Sequence, residues 1–332
     1  MPAEWERHER TFMAWPCRRE LWGSAISLQR ARAAHARLAK AINEVEDVVM
    51  IARPDDASDA ERQCGRDIEV RPIPIDDSWV RDSGPVFVKR GNEVAGIDFK
   101  FNAWGNKYRG YDDDDKLPER LLAGLGIQRF TAPIVLEGGS IAVDGAGTLM
   151  TTEECLLNAN RNPGLSRASL EQTLAEYLGI RHVLWLPYGL EDDETDGHID
   201  NVAAFAGPGL VLLNWTEDES DANFARMRAN EAALQAARDA RGQRLEIIKV
   251  LEPPRAVGGN GRRLPLSYLN FYIANDVVFA PCFHHALDRA AAVALGACFN
   301  TKEIVQLPMA DVVAGGGGIH CITQQQPAGG PL

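Results

Sequence analysis

Five times along the chain, a stretch rich in Ala, Leu, Arg and Glu gives way to a short apolar, β-branched run. The first kind of stretch predicts helices at about 27–44, 117–124, 167–178, 220–241 and 286–296. The runs that follow predict strands: Val48–Ile51, Arg129–Thr131, His182–Leu186, Ile247–Val250 and Ile304–Leu307. Pro54, Pro187, Pro253 and Pro308 are expected to stop four of these strands, and the second run meets Pro133. Between the units lie paired apolar runs joined by Gly, Asn or Asp, the chemistry of hairpins. These pairs are 85–89 with 94–100, 140–143 with 148–151, 202–205 with 210–213, and 269–273 with 277–280. A fifth, cruder unit pairs 315–325 with the N-terminal run 11–15. The repeat is roughly 55–80 residues and carries a helix in each unit, which sets it apart from the small-repeat solenoids. The expected fold class is therefore α/β, a closed ring of five units. No linker or break in composition divides it, so residues 1–332 are expected to form one domain. Asp112–Asp115 is expected to be a solvated turn before a helix.

Composition narrows the partners. A net charge of −12 and a pI near 5.1 argue against nucleic acid and anionic membranes. No apolar run approaches bilayer length, and the charged N-terminus has no signal-peptide core, so a cytoplasmic protein is expected. The six cysteines lie far apart without a C-x-x-C pair, which fits neither the usual zinc spacing nor a disulfide framework.

Candidate chemistry gathers in five places. Gly315–Gly318 precede Ile319-His320-Cys321, so a thiol is expected on the lip of a glycine turn, opening a β-like run. A buried structural cysteine is the plain alternative. The four glycines lack the Lys-Ser/Thr of a phosphate loop. A second stretch, 75–85, holds Asp76, Asp77, Trp79 and Asp82; a turn network among its carboxylates is the alternative reading. Glu137 closes an apolar run beside Gly138-Gly139. In 191–201, His198 and Asp200 are expected to begin a strand and share a face, as an acid/base unit or as half of a metal site. The fifth, 102–111, is an aromatic and glycine loop that suits a lid. His320 is expected to point away from Cys321 and to be a poor base, while His284-His285 reads as structural.

A thiol, one His with an Asp neighbour, further carboxylates and no metal motif together suit attack on a guanidinium carbon. That group is planar and cationic, and carboxylates grip its N–H edges in fork geometry. Two aspartates would fix its plane and place its carbon over sulfur. A cysteine protease is less suited, because a nest of acids repels its oxyanion.

Trp79-Val-Arg-Asp82-Ser-Gly-Pro, Glu137-Gly-Gly, Asp196-Gly-His198-Ile-Asp200 and Gly-Gly-Gly-Gly-Ile-His-Cys321-Ile-Thr-Gln-Gln resemble, in order, the motifs of the agmatine deiminases. These belong to the guanidine-modifying superfamily, which also includes bacterial peptidylarginine deiminases. The resemblance runs from Trp15 to Gln326 and implies a five-bladed pentein α/β propeller. It implies hydrolysis of a linear amidine C–N bond in a cationic guanidine, agmatine, without metal or organic cofactor. By the same resemblance Cys321 is the nucleophile, His198 the general acid and then base, and Asp82 and Asp200 hold the guanidinium. Glu137 binds it or orients His198, Trp79 walls the channel, and Glu194 meets the substrate's distal ammonium. Gly318 stands where the family usually has Asn, which bears on the substrate pocket. Deimination of peptidyl or free arginine, amidino transfer, and guanidine or polyamine binding without turnover are the alternatives. The sequence leaves a homo-oligomer open.

Overall fold

The computed structural model describes residues 1–259 and 261–332. The five predicted helices are Ala25–Asn43, Leu117–Leu125, Arg167–Leu178, Ala222–Ala236 and Leu287–Cys298. Their ends follow local chemistry. Ser24 and Ser166 accept backbone N–H groups of the first turn, and Gly126 and Gly179 end their helices at φ values of +66° and +69°.

Each helix leads into a strand, and the five strands take equivalent places in five sheets. In one sheet, Ala203–Gly207 and Leu210–Trp215 form an antiparallel hairpin, and Glu246–Leu251 returns parallel to the second member. The same order recurs in Ala142–Val143, Thr148–Thr152 and His182–Leu186. It recurs again in Tyr272–Ile273, Val277–Cys282 and Glu303–Pro308. Val86–Arg90, Glu93–Lys100 and Gln128–Val135 make the fourth set. In the fifth, the late strand Thr323–Pro327 runs antiparallel to the N-terminal His8–Ala14, and Asp47–Ala52 runs parallel beside it. The last strand, Gly330–Pro331, joins Glu93–Val94 of the fourth set. Strands from near the two ends of the chain thus complete one sheet, and the set closes on itself. The middle strand of each sheet is flanked on both sides and is buried along most of its length, as its apolar runs require.

Several expectations are corrected. Pro133 does not stop its strand but lies within Gln128–Val135; the pairing slips beside it, between Asp98 and Lys100, where a residue without an N–H can sit. The helix expected over 220–241 ends at Ala236, and the run expected over 269–273 pairs only at Tyr272–Ile273. Nor is Asp112–Asp115 wholly solvated. Asp114 is buried and accepts the backbone N–H of Asp76 at 2.8 Å, while Asp76 accepts that of Asp113 at 2.8 Å. Burial, offset in part by those N–H groups and reinforced by Asp76 and Asp77, pushes the Asp114 carboxyl up to about 8.

Candidate active site

The glycine turn before Cys321 has a steric cause. A Cβ on Gly317 would lie 2.5 Å from the Trp79 ring and 2.9 Å from Cys321 Cβ, and one on Gly315 would meet the Trp22 ring at 2.5 Å. The turn therefore passes close under two tryptophans, which stack with centroids 5.6 Å apart. Asp77 ties this wall together: it accepts Trp22 Nε1 at 3.3 Å, Trp79 Nε1 at 3.1 Å, and the backbone N–H of Cys17 at 3.1 Å. Asp76 and Asp77 thus form the turn network that was the alternative to a direct role.

Cys321 opens no strand. It sits in a short 3-10 turn, His320–Ile322, and the strand begins at Thr323. Its Sγ lies 3.5 Å from Asp200 Oδ2 and 3.3 Å from Asn270 Nδ2. His198 and Asp200 likewise begin no strand: Ile199–Asn201 is another 3-10 turn, and the next strand starts at Ala203. The turn nevertheless brings both side chains to the site. His198 Nδ1 is 3.7 Å from Asp82 Oδ1, and a Cβ on Gly139 would strike His198, Asp82 and Asp200 within 3.0 Å. Gly139 also donates its N–H to Asp82 at 3.0 Å. The Gly138-Gly139 pair is therefore required by close approach.

Glu137 lies behind the imidazole rather than in the cleft. It is fully buried, and Arg161 Nε donates to its Oε1 at 2.8 Å. Arg161 also binds the Thr195 carbonyl at 2.8 Å and the Asp196 carboxylate, locking the His198 loop to Glu137. Glu137, Cys155 and His198 are the group among the described residues with donors for a metal ion, their ligand atoms lying within 4.8 Å of one another. The Arg161 guanidinium already supplies positive charge to this carboxylate.

The cleft over the thiol encloses about 330 Å³ and is walled by Trp79, Trp104 and Tyr108, with Asp82 and Cys321 at its floor and Glu194 and Thr195 beside them. The aromatic loop thus does border the site. Trp104 Nε1 donates to Asp82 Oδ2 at 2.9 Å, from a backbone in which Ala103, Trp104 and Asn106 all have φ between +51° and +62°. Left-handed conformations at non-glycine residues cost energy and cluster at functional sites. Glu194, half-buried at the cleft mouth, accepts Tyr108 Oη at 2.6 Å and Arg262 Nη1 at 3.0 Å. Gly318 does not line the cleft; a Cβ there would fall 2.4 Å from Asn270 Oδ1. Its closeness to Asn270, rather than a place in the pocket, explains the glycine.

Electrostatics divide the groups. Burial pushes the Cys321 thiol well up, and the Asp200 and Asp82 carboxylates add to this against the Gly318 N–H and Asn270. Burial alone would lower His198, but Asp82, Cys155 and Glu137 outweigh it and hold the ring protonated well above the usual range. Asp82 is raised to about 6, first by burial and then by Asp200 and Glu137, against His198 and the Trp104 N–H. Asp200 is lowered despite burial, because His320, His198 and Arg81 favour its anion. Asp200 Oδ1, Glu137 Oε2 and both His198 ring nitrogens are buried without a hydrogen-bond partner among the described residues. A buried carboxylate oxygen left unpaired beside a thiol is a ready acceptor for a bound N–H donor.

Sequence reasoning missed Trp104 as the partner of Asp82, and it missed Arg161, Cys155 and Asn270. His320 lies outside the cleft, in keeping with the expectation that it is a poor base, but its link to Asp200, 2.9 Å from Nδ1, was not foreseen. The 3-10 turn, in place of a strand, sets that ring beside Asp200.

A family profile described as Porphyromonas-type peptidyl-arginine deiminase matches residues 1–327. The agmatine deiminase of Stutzerimonas stutzeri is 44% identical over 353 residues, covering 99% of this chain and 95% of that one. The solved agmatine deiminase of Enterococcus faecalis superposes with a TM-score of 0.93 at 35% identity, over 99% of this chain and 95% of that one. A substrate-bound C. jejuni agmatine deiminase with a cysteine-to-serine substitution gives 0.90 at 25% identity, over 99% and 96%.

Proposed function

Because this chain belongs to the Porphyromonas-type peptidyl-arginine deiminase family, we propose that it hydrolyses agmatine to N-carbamoylputrescine and ammonia through a covalent intermediate on Cys321. The observation that carries this reading is the cluster at and beneath the cleft floor. The Cys321 thiol lies 3.5 Å from Asp200, whose second oxygen has no partner among the described residues, with Asp82 and a protonated His198 beside it. Asp82 and Asp200 bind the N–H edges of the guanidinium and set its carbon over Sγ. The bound cation offsets the two carboxylates that keep the thiol protonated, so Cys321 releases its proton to solvent when substrate binds. The thiolate forms an S–C bond, and His198 gives its proton to the departing nitrogen as the C–N bond breaks and ammonia leaves. Water then attacks the amidino carbon and yields a proton to His198. The C–S bond breaks, freeing the urea product and the thiol. Glu137, held by Arg161, orients His198 and stabilises its cation.

Agmatine as substrate is supported by the activity for which the relatives are named and by Glu194 at the mouth. Its carboxylate meets the distal ammonium in exchange for Arg262. Trp79 and Trp104 enclose the aliphatic chain. We read residues 1–332 as one domain acting in the cytoplasm; among the described residues no helix is long and apolar enough to cross a membrane.

The test is ammonia release from agmatine, free arginine and an arginine-containing peptide, with Cys321→Ala as the blank. Turnover of agmatine, lost in the variant, is expected. Thiol-dependent turnover of arginine or the peptide alone would replace the substrate, and no thiol-dependent ammonia from any of them would overturn the activity.

A further inference from the structure

His320 bridges two carboxylates. Its Nδ1 is 2.9 Å from Asp200 Oδ2 and its Nε2 is 2.9 Å from Glu4 Oε2. A neutral imidazole carries one N–H and can donate on one side only; donation to both carboxylates requires the imidazolium. Glu4 is itself held in place. Its Oε1 accepts the backbone N–H of Ile273 at 2.8 Å, and Arg81 Nη2 stands 3.8 Å from its Oε2. Arg81 Nε in turn donates to the His320 carbonyl at 3.2 Å. The chain of contacts thus runs from the N-terminal segment through His320 to the carboxylate beside the thiol. It ends on Asp200 Oδ1, which is buried and has no partner among the described residues. Glu4, His320 and Asp200 also line a chamber of about 640 Å³ that shares no lining residue with the substrate cleft.

We propose that Glu4 and His320 are positioning residues for deimination: the pair holds Asp200 ionised, with one oxygen occupied and the other presented to the substrate guanidinium. The inference rests on the reading of Asp200 as a guanidinium anchor. A carboxylate 3.5 Å from a thiol and close to Asp82 is under pressure to take up a proton, and a protonated Asp200 is a poor acceptor for a cation. The His320 cation opposes that pressure, and Glu4 keeps His320 cationic against burial and against Arg81. The groups facing this relay are Arg81 and Glu4 on one side, and His198, Asp82 and Cys321 on the other. Burial and Arg81 push His320 down, yet Glu4 and Asp200 outweigh them and raise it. Glu4 is itself lowered to about 2, its burial overcome by His320 and Arg81.

The experiment compares alkylation of Cys321 by a cationic reagent, chloroacetamidine, with alkylation by neutral iodoacetamide across pH, in the full-length protein. It needs no turnover. Glu4→Gln keeps the shape and allows a hydrogen bond to a neutral His320, while removing the charge that keeps the ring protonated; His320→Gln removes the cation directly. Each variant is expected to lose about tenfold of the cation preference, the difference a charge-assisted over a neutral hydrogen bond makes. The loss should set in at higher pH than in the wild type, with iodoacetamide rates little changed. Because a merely structural role would slow both reagents together, parallel losses overturn the relay, as does an unchanged preference and pH midpoint in both variants. A wild type without cation preference would remove the carboxylate anchor, and the relay with it.

Discussion

Asp82 carries the clearest consequence at the scale of single residues. Burial together with Asp200 and Glu137 raises it to about 6, so as pH falls through that value it gains a proton and ceases to bind a cation. The KM for agmatine should therefore climb below about pH 6, while kcat falls less; a KM flat from pH 7 to pH 5 would contradict this. Gly318→Asn is a second test. The new side chain must displace Asn270, whose amide contacts the thiol, so activity should fall at least tenfold, about the worth of one hydrogen bond to a reacting group. An active variant would show that Asn270 yields without cost to the site. Much of the residue set was legible, because Cys, His, Asp and Glu beside paired glycines have few other reasons to cluster. The structure brings Cys321, His198, Asp200, Asp82 and Trp79 together and sets Glu137 behind them. Arg161 and Glu4 were not legible, since an isolated Arg or Glu carries no periodic signal and gains meaning only from what it touches elsewhere in the chain, Glu137 and Asp196 for Arg161 and His320 for Glu4.

Elements behave as their propensities suggest, with exceptions at the site. The two 3-10 turns, Ile199–Asn201 and His320–Ile322, replace expected strand starts and reorient His198, Asp200 and His320. Alternation along the sequence cannot foresee such a turn, because it assumes a period of two. The loop holding Trp104 is strained in a way composition does not reveal. Trp104→Phe preserves the aromatic wall but removes the N–H from Asp82, and should raise the KM for agmatine about threefold to tenfold; an unchanged KM would make that contact incidental. The buried turn around Asp114 makes a prediction about stability. Its carboxyl pKa is raised to about 8 in the folded chain from an ordinary value near 4. The folded state therefore holds its proton more tightly. That contribution is complete below about pH 4 and is lost as pH rises towards 8. In Asp114→Asn, whose amide oxygen still accepts the Asp76 N–H, Tm should decline less between pH 4 and 8 than in the wild type. Parallel Tm curves would rule out the buried proton.

For the whole molecule, the fivefold repeat was legible because each unit pairs a hairpin with a helix and a returning strand. The closing sheet was the crudest of the five in sequence, since its strands come from opposite ends of the chain and share no turn. Closure matters for the site because Cys321 lies just before Thr323–Pro327 and Glu4 just before His8–Ala14, the two strands that pair to close the set. Phe12, fully buried in the closing sheet, stacks on Phe87 of the next at 6.1 Å. Phe12→Ala should cost about 3–5 kcal/mol of stability, read as a lower denaturant midpoint.

The central claim is a carbon–sulfur bond between substrate and Cys321. It is tested most directly by mass spectrometry of enzyme quenched in acid during turnover of agmatine. An adduct with the mass of agmatine less one ammonia is expected, located on the Cys321 peptide and missing from Cys321→Ala. Turnover of agmatine without any adduct on Cys321 at any quench time would contradict it.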